Sequence, residues 1–253
     1  MRRWIIAGLV VLGACVAETG ERDVTVSNLH ILQDADREFV LEQYLQAAGH
    51  YEAFLAYNPL FPQRTRVRLM AGRAYLGAGR LDQAISTFDQ ALGGTPPPLE
   101  RWDLIFHRAV AYRMKGEIAR ALEGFRMVGA APSTERSSVV THDEYHYELA
   151  LALFRDGDWK GGQSELALVA PRGPFGKKAR MRLGLTSFAV QVGAYEDDAR
   201  ARSEAEKVKG ILRPIPGDRP LYAVTWGSFN RYEDAQREAD RLRRQYPDAF
   251  VIP

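Results

Sequence analysis

The residue with the most distinctive chemistry is Cys15, the only cysteine of the 253-residue chain. Two arginines, an apolar run over residues 4–12 and two small residues precede it in that order. A basic start, a short apolar segment and small residues at a cleavage point are typical of a secretory signal peptide. The run is too short to cross a bilayer, which takes about 20 apolar residues. The pattern therefore predicts an exported protein.

The tetrad Leu12-Gly13-Ala14-Cys15 resembles a bacterial lipobox. The resemblance implies that residues 1–14 are a lipoprotein signal peptide cut just before Cys15, whose thiol carries a diacylglycerol and whose new amine is acylated. Several acyl chains give stable anchoring, since each buried methylene contributes about 0.8 kcal/mol. Val16 rather than an aspartate follows, which in that family implies the outer membrane, on its periplasmic face. An ordinary signal peptide with a chance cysteine and an uncleaved membrane anchor remain the alternatives.

Composition excludes several classes of function. With Cys15 lipidated, no thiol is left for a disulfide, a nucleophile or a metal site. Loss of residues 1–14 removes two of the 34 basic residues and none of the 32 acidic ones, so the mature chain is balanced. This balance argues against nucleic-acid binding. The sequence shows no phosphate loop, G-x-S-x-G elbow or zinc signature, so we expect neither an enzyme nor a cofactor.

Two histidines, His142 and His146, stand four residues apart, a spacing that can hold zinc on a helix. Glu144 comes one place later than the zinc-protease order requires. The motif also begins at a predicted helix start, and His146 falls where the helical repeat usually has a large packing residue. We therefore expect no metal site.

Near the C-terminus the apolar period changes to that of strands. A strand over Phe188–Tyr195 is followed by a helix, and a shift of 34 residues finds the same unit again, beginning with Tyr222–Phe229. The short segments Ile211–Ile215 and Ala249–Ile252 can supply two more strands. The order βαββαβ predicts a four-stranded antiparallel sheet with both helices on one face.

The motifs Val190-Gln191-Val192-Gly193-Ala194-Tyr195 and Val224-Thr225-Trp226-Gly227-Ser228-Phe229 resemble those of a SPOR domain, the sporulation-related repeat of bacterial division proteins. The resemblance covers residues 186–253. It implies that the open sheet face is a shallow groove for peptidoglycan strands stripped of their stem peptides, which occur at division septa.

Strand alternation assigns side chains to the two sheet faces. Val190, Val192, Val224 and Trp226 should pack under the helices. The open face is predicted to hold the glycan-binding residues Gln191, Leu221, Ala223 and Thr225, together with Ala189. The amide of Gln191 can both donate and accept hydrogen bonds. Many relatives carry an aromatic residue in place of Leu221 and an arginine in place of Ala223, so a module that only packs or docks on protein remains an alternative.

In the middle of the chain, residues 65–98 resemble a tetratricopeptide repeat, in which two antiparallel helices pack through small and aromatic residues. The pattern returns over Ala109–Val128 and Ala150–Val169, at intervals of 37 and 41 residues, with insertions predicted in the loops Thr95–Leu99 and Pro132–Val139. Its positions in the first copy are Gly72, Tyr75, Gly79, Ala84, Phe88, Ala91 and Pro96.

An earlier hairpin over Ala35–Tyr57, turning around Gly49, is expected to be a degenerate copy with its second helix one residue out of register. Lys177–Leu185 is expected to be a final capping helix. The resemblance implies a solenoid that binds a protein segment on its concave face, lined by the first helices. The candidate protein-binding residues there are Arg73, His107, Arg108 and Arg113, with Arg66. The aromatic repeat positions are expected in the core.

The sequence thus predicts a mainly α protein: a tetratricopeptide helical solenoid followed by a small α+β domain. The expected organisation is a signal peptide (1–14), a lipidated tether (15–33), the solenoid (34–185) and a SPOR-like domain (186–253). The expected function is a lipid-anchored envelope adaptor that binds a protein partner and peptide-stripped peptidoglycan. The alternative is an assembly factor of a secretion, pilus or flagellar machine, whose C-terminal domain docks on protein.

Overall fold

The computed structural model describes residues 28–132, 140–215 and 220–253, which fall into two compact units divided after Tyr145. Cys15, the predicted signal peptide and most of the predicted tether lie outside the described residues. Within those three ranges, no helix combines the length and apolar character that a membrane span requires.

The first unit is a series of antiparallel helical pairs. An 18-residue helix, α5, begins at Pro98, so the predicted insertion over Thr95–Leu99 is only partly loop and also lengthens this helix. The second predicted insertion lies almost wholly outside the described residues. The helices are α1 (Leu29–Val40), α2 (Tyr44–Tyr57), α3 (Arg64–Gly77), α4 (Leu81–Leu92), α5 (Pro98–Lys115) and α6 (Ile118–Gly129).

Small residues let the paired helices approach closely. In α4, Ala84, Phe88 and Ala91 recur on one face and are buried. The ring of Phe88 fills the space left by Gly72, where an added Cβ would lie 2.2 Å from the Cε1 atom of Phe88. The core positions predicted from the repeat pattern are therefore confirmed in this pair.

Each helical pair turns at a residue with a left-handed backbone. Gly79, Gly116 and Gly157 have φ values of 71°, 91° and 92°. In the first pair this position is held by Glu42, with a φ of 61°. The predicted turn at Gly49 is wrong, because Gly49 lies inside α2. The pattern was obscured because a glutamate occupies a site that normally favours glycine.

With this turn, the first pair follows the regular 37-residue interval. Ala35, Ala47 and Tyr51 correspond to Gly72, Ala84 and Phe88, and all three are fully buried. The second helix of this pair is therefore in register, contrary to the sequence prediction. The pair is a complete repeat.

The second unit combines a helical pair with a sheet. Its helices are α7 (His142–Asp156, the first turn of which counts with the first unit), α8 (Trp159–Ala167), α9 (Gly176–Arg180), α10 (Asp198–Val208) and α11 (Tyr232–Leu242). Its strands are β1 (Phe188–Tyr195), β2 (Ile211–Ile215), β3 (Leu221–Phe229) and β4 (Phe250–Ile252). The strand order is β2-β3-β1-β4, with all pairs antiparallel. The predicted βαββαβ order is confirmed, and α9 is a five-residue remnant of the predicted capping helix.

One side of the sheet is covered by α10 and α11. The predicted inward residues Val190, Val192 and Val224 are buried there, and Trp226 packs at the edge of the same cluster. The helices contribute mostly alanines, such as Ala201, so both can lie close to the strands. This arrangement leaves the opposite face of the sheet without a covering helix from this pair.

A separate cluster joins α7 and α8 to the sheet. The ring of Trp159 stacks on Phe154, with centroids 4.7 Å apart, and meets Phe188 edge-on at 4.8 Å. Its Nε1 donates a hydrogen bond of 2.9 Å to the carbonyl oxygen of Asn230. The last helical pair and the βα domain therefore share a core within the second unit.

Candidate binding surfaces

The open face of the sheet can be read from strand register, since directly paired residues lie on the same face. Ile211 pairs with Thr225, Thr225 with Gln191, and Gln191 with Phe250. These four residues form one row across all four strands. We call this set the open-face row.

Only part of the open-face row is accessible. Ile211 and Phe250, on the two edge strands, are 59% and 46% exposed, and Gln191 is half-buried between them. Thr225 is 1% exposed, and its Oγ1 lies 3.2 Å from the carbonyl oxygen of Ile211, to which it donates. Thr225 was predicted to bind glycan; its burial instead gives it a structural role, tying β3 to β2.

The next row repeats this arrangement. Ala223 pairs with Arg213 on one side and Ala194 on the other. Ala223 is 3% exposed, so its predicted contact with glycan is also corrected, because a small side chain lies below its larger neighbours. Arg213 is exposed and brings a guanidinium to the row that contains Ala223.

The predicted residue Leu221 pairs with Ile215 and is half-buried at the far end of the face. Simple alternation fails midway along β1, because the register shifts between Gln191 and Gly193. Beyond this bulge, Tyr195 lies on the helix side and Ala194 on the open face. Bulges of this kind redirect side chains at functional surfaces.

Sequence reasoning missed the accessible residues Ile211, Arg213 and Phe250. All three lie on β2 or β4, which were predicted as strands of unknown register. The alternation of side chains within each short strand was visible in the sequence. Which of them lie on the open face, however, depends on the register with the neighbouring strand.

On the helical unit, Arg73 is half-buried among the first helices of the pairs. Its guanidinium carbon lies 5.5 Å from the ring centroid of Phe39, and its Nη1 is 3.6 Å from the Sδ atom of Met70. Burial lowers the pKa of Arg73, an effect that the charge of Glu144 opposes. Arg73 therefore lies against the first helices of the pairs, in a partly desolvated position.

His107 was predicted to bind protein, but it is only 5% exposed. Its ring lies against Phe106 and Phe88, with centroids 5.2 Å and 6.3 Å away. Burial lowers the pKa of His107 well below 6.5, with Arg73 adding to the effect. Among the described residues its Nε2 has no hydrogen-bond partner. The structure corrects this prediction: His107 is a core residue.

The other two candidates, Arg108 and Arg113, do not share the contacts of Arg73. Arg108 donates from Nη1 to Oδ1 of Asp89 at 2.6 Å, a pairing that joins α5 to α4. Arg113 is half-buried near the end of α5. Because His107 is buried and Arg108 is paired with Asp89, the four predicted residues do not form one exposed surface.

The histidine pair of α7 has another role. Nδ1 of His146 lies 2.6 Å from Oε2 of Glu165 on α8, and His142 lies 3.7 Å from the carboxylate of Asp143. Across the part of the chain that the structure describes, no three His, Cys, Asp or Glu side chains are grouped so as to hold a metal ion. His146 links the last two repeat helices.

Comparison with known proteins gives two family matches. The SPOR domain model matches residues 184–253, and the tetratricopeptide repeat model matches residues 32–98 and 69–133. The tetratricopeptide range 32–98 includes the helical pair that turns at Glu42. Both are binding modules rather than catalytic families: the SPOR domain indicates peptidoglycan binding and the repeats indicate protein–protein interaction.

No curated protein matches the chain. Among solved structures, one of TPR-like repeats from a kinesin light chain of Podosopora anserina is 18% identical in sequence to this chain. The match covers 61% of this chain and 82% of that one, with a TM-score of 0.48. A tetratricopeptide repeat protein from Parabacteroides merdae is 14% identical over 87% of this chain and 67% of its own, with a TM-score of 0.46.

Proposed function

We propose that this chain, which carries tetratricopeptide repeats and a C-terminal SPOR domain, is a lipid-anchored adaptor of the bacterial cell envelope. Its repeats bind a protein partner, and its SPOR domain binds peptidoglycan strands stripped of stem peptides. The acylated Cys15 holds it at the periplasmic face of the outer membrane. Its function is to keep the partner close to septal or remodelled cell wall.

The observation that carries the glycan part is the open-face row. Ile211 and Phe250 offer exposed apolar side chains that can cover sugar rings, and Gln191 between them can donate and accept hydrogen bonds. Arg213 adds further donors one row away. A shallow face of this composition suits a neutral, extended polymer better than a small charged ligand.

The glycan proposal is tested with the unlipidated mature chain, carrying Cys15→Ser, and isolated sacculi. We expect cosedimentation with sacculi whose stem peptides an amidase has removed, and much less with untreated sacculi. Gln191→Leu should weaken this binding about fivefold, the effect of losing about one hydrogen bond. Arg244→Gln, on an exposed residue after α11, is the control and should bind as the wild type.

The same experiment can reject the glycan proposal. Circular dichroism establishes that each protein is folded. A folded wild-type chain that stays in the supernatant with stripped sacculi would remove the glycan contact from the proposed adaptor.

The membrane part of the proposal rests on the tetrad Leu12-Gly13-Ala14-Cys15. Wild-type protein should carry acyl chains on Cys15, detectable by mass spectrometry, and fractionate with the outer membrane. Cys15→Ser should block lipidation and leave the protein unprocessed or released. A mutant that matures at the same site and still fractionates with the outer membrane would refute the anchor.

The exposure of Ile211 and Phe250 also favours a second candidate, an assembly factor whose C-terminal domain docks on protein. A photo-crosslinking residue placed at position 250 in living cells distinguishes the adaptor from the assembly factor. Crosslinks to glycan support the adaptor, whereas a single protein species crosslinked from this position, without binding to stripped sacculi, supports the assembly factor.

A further inference from the structure

Large apolar side chains are exposed at both ends of the first helical pairs: Val40, Leu41 and Leu45 lie at one end, and Leu29, Tyr57 and Leu60 lie at the other. Leu60 is 77% exposed, Tyr57 is 60% exposed and Leu29 is 49% exposed. Tyr57 ends α2, Leu60 lies in the connection to α3, and Leu29 begins α1. Because α1 and α2 are antiparallel, the start of α1 lies at the same end as the end of α2.

Leu60 is held outward by an ordered connection. The side-chain Nδ2 of Asn58 donates to the carbonyl oxygen of Phe54 at 3.0 Å, and the backbone nitrogen of Phe61 donates to the carbonyl oxygen of Asn58 at 3.1 Å. The ring of Phe61 packs edge-on against Phe54, with centroids 5.1 Å apart. One apolar residue of this connection therefore fixes the turn, while its neighbour Leu60 stays in solvent.

The same end is basic. Arg64, Arg66 and Arg68 lie in the first turns of α3, and residues 53–68 contain no acidic residue. Arg64 is the first residue of α3 and Arg68 lies one turn later; both are half-buried, and among the described residues neither forms a salt bridge. Like charges at this spacing destabilise a helix slightly. Burial, together with a hydrogen bond to the nearby Glu52, raises the pKa of Tyr75 to about 12.

The chain that leads to Cys15 enters at this end. Residues 16–27 separate Cys15 from the first described residue. Twelve residues reach at most about 40 Å when fully extended. An anchored Cys15 would therefore keep the start of α1 within that distance of the bilayer, at the end that carries Leu29, Tyr57, Leu60 and the arginines of the first turns of α3.

We propose that Leu29, Tyr57, Leu60, Arg64 and Arg68 form a membrane-contact patch that lies on the anionic headgroups of the bilayer holding Cys15. The apolar side chains enter the interface, where tyrosine is favoured, and the arginines meet lipid phosphates. This inference rests on the proposed lipid anchor for its geometry. The patch orients the protein on the membrane, whereas the acyl chains hold it there.

The patch is tested without the anchor, so that the two proposals can fail separately. The unlipidated mature chain with Cys15→Ser is mixed with vesicles of phosphatidylethanolamine and phosphatidylglycerol, and with neutral phosphatidylcholine vesicles. We expect it to float with the anionic vesicles, more weakly at high salt. Arg64→Gln with Arg68→Gln should lower the partition coefficient about fivefold per arginine, and Leu60→Ser about tenfold.

Matched controls lie at the other end of the same helices. Leu45→Ser changes a leucine that is 53% exposed at the start of α2, and Arg80→Gln changes an exposed arginine after the end of α3. Both should bind vesicles as the parent chain does. Equal loss in the controls and the patch variants, or equal partition into neutral and anionic vesicles, would overturn the patch. Lipidation of Cys15, measured by mass spectrometry on the wild type, reports separately on the anchor.

Discussion

Two helical pairs of this chain share a repeat pattern but use it differently. Two residues after the left-handed turn, α4 begins with Leu81, whereas α8 begins with Trp159. Leu81 is half-buried within its helical surroundings, but Trp159 reaches Phe188 of the sheet and the backbone of Asn230. The repeat pattern therefore determines how the two helices of a pair pack together. The residue at the start of the second helix, Leu81 or Trp159, determines which neighbouring element the pair contacts.

The comparison extends to the cores. The described part of the first unit contains a cluster of aromatic residues set against alanines that runs from Leu32 to Leu104. The second unit has a cluster between strands and helices and another around Trp159. We therefore expect two separate unfolding transitions, with α7 and α8 unfolding together with the sheet.

The largest expected effect comes from Val224→Asp. Val224 is fully buried between the sheet and its two helices, and an unpaired charge there costs more than a small unit can supply. The transition of the second unit should vanish in calorimetry, while that of the first unit remains. Ala194→Asp, on an exposed residue of β1, is the control. If hydrogen exchange still shows α7 and α8 protected in Val224→Asp, the second unit is not a single body.

In the first unit, Phe88→Ala should lower the free energy of unfolding by about 3–5 kcal/mol, because it empties the space beside Gly72. Urea unfolding should show this change only in the first transition. An equal shift of both transitions would mean that the two units do not unfold independently.

Trp159→Ala tests the residue at the start of the second helix directly. It removes two ring contacts and a hydrogen bond, so the second unit should lose about 3 kcal/mol. Leu81→Ala, at the same repeat position of α4, should cost about 1 kcal/mol because it is only half-buried. Similar losses from both substitutions would remove the distinction between the two pairs.

Acid should affect the first unit through His107. Burial, Arg73 and Arg66 hold its pKa well below 6.5, so only the unfolded chain takes up this proton as the pH falls. The stability tied to His107 is complete above about pH 6.5 and declines below it, by at most about 1.4 kcal/mol per pH unit. Unfolding at pH 7.5 and 5.5 measures this decline, and His107→Phe should reduce it. An unchanged decline in the variant would assign it to other groups.

The smallest expected effect on stability is an increase rather than a loss. Glu42 adopts a left-handed backbone that glycine tolerates without cost, so Glu42→Gly should stabilise the first unit by up to about 1 kcal/mol. Gly79→Glu, at the corresponding turn, should destabilise it by a similar amount. A loss of stability in Glu42→Gly would show that the glutamate side chain contributes more than its backbone strain costs.

Much of the fold was visible in the sequence because small and large residues alternate at fixed spacing. Gly72 with Phe88 could be placed in a core from their match to the repeat pattern, and Val190 with Val224 from strand alternation. The first turn was missed because Glu42 carries no glycine signal. His107 was misplaced because the repeat period alone did not reveal that its ring is buried between Phe106 and Phe88.

The sheet surface was predicted less well than the sheet itself. Gln191 was assigned to the open face by alternation, and its pairing places it there. Thr225 and Ala223 share that face but are buried, since accessibility depends on the size of the neighbours. Ile211 and Phe250 belong to short edge strands, whose register is set by tertiary pairing that no local pattern encodes.

The position of β1 has a mechanical consequence. It is the first strand after the helices, yet it lies inside the sheet, paired with β3 on one side and β4 on the other. Tension transmitted along the chain from the helical repeats enters the sheet at the start of β1 and runs parallel to it. Antiparallel hydrogen bonds lie across the strand, so the pull loads both ladders in shear rather than opening them one bond at a time. A chain held between membrane and wall would therefore resist stretching at this strand.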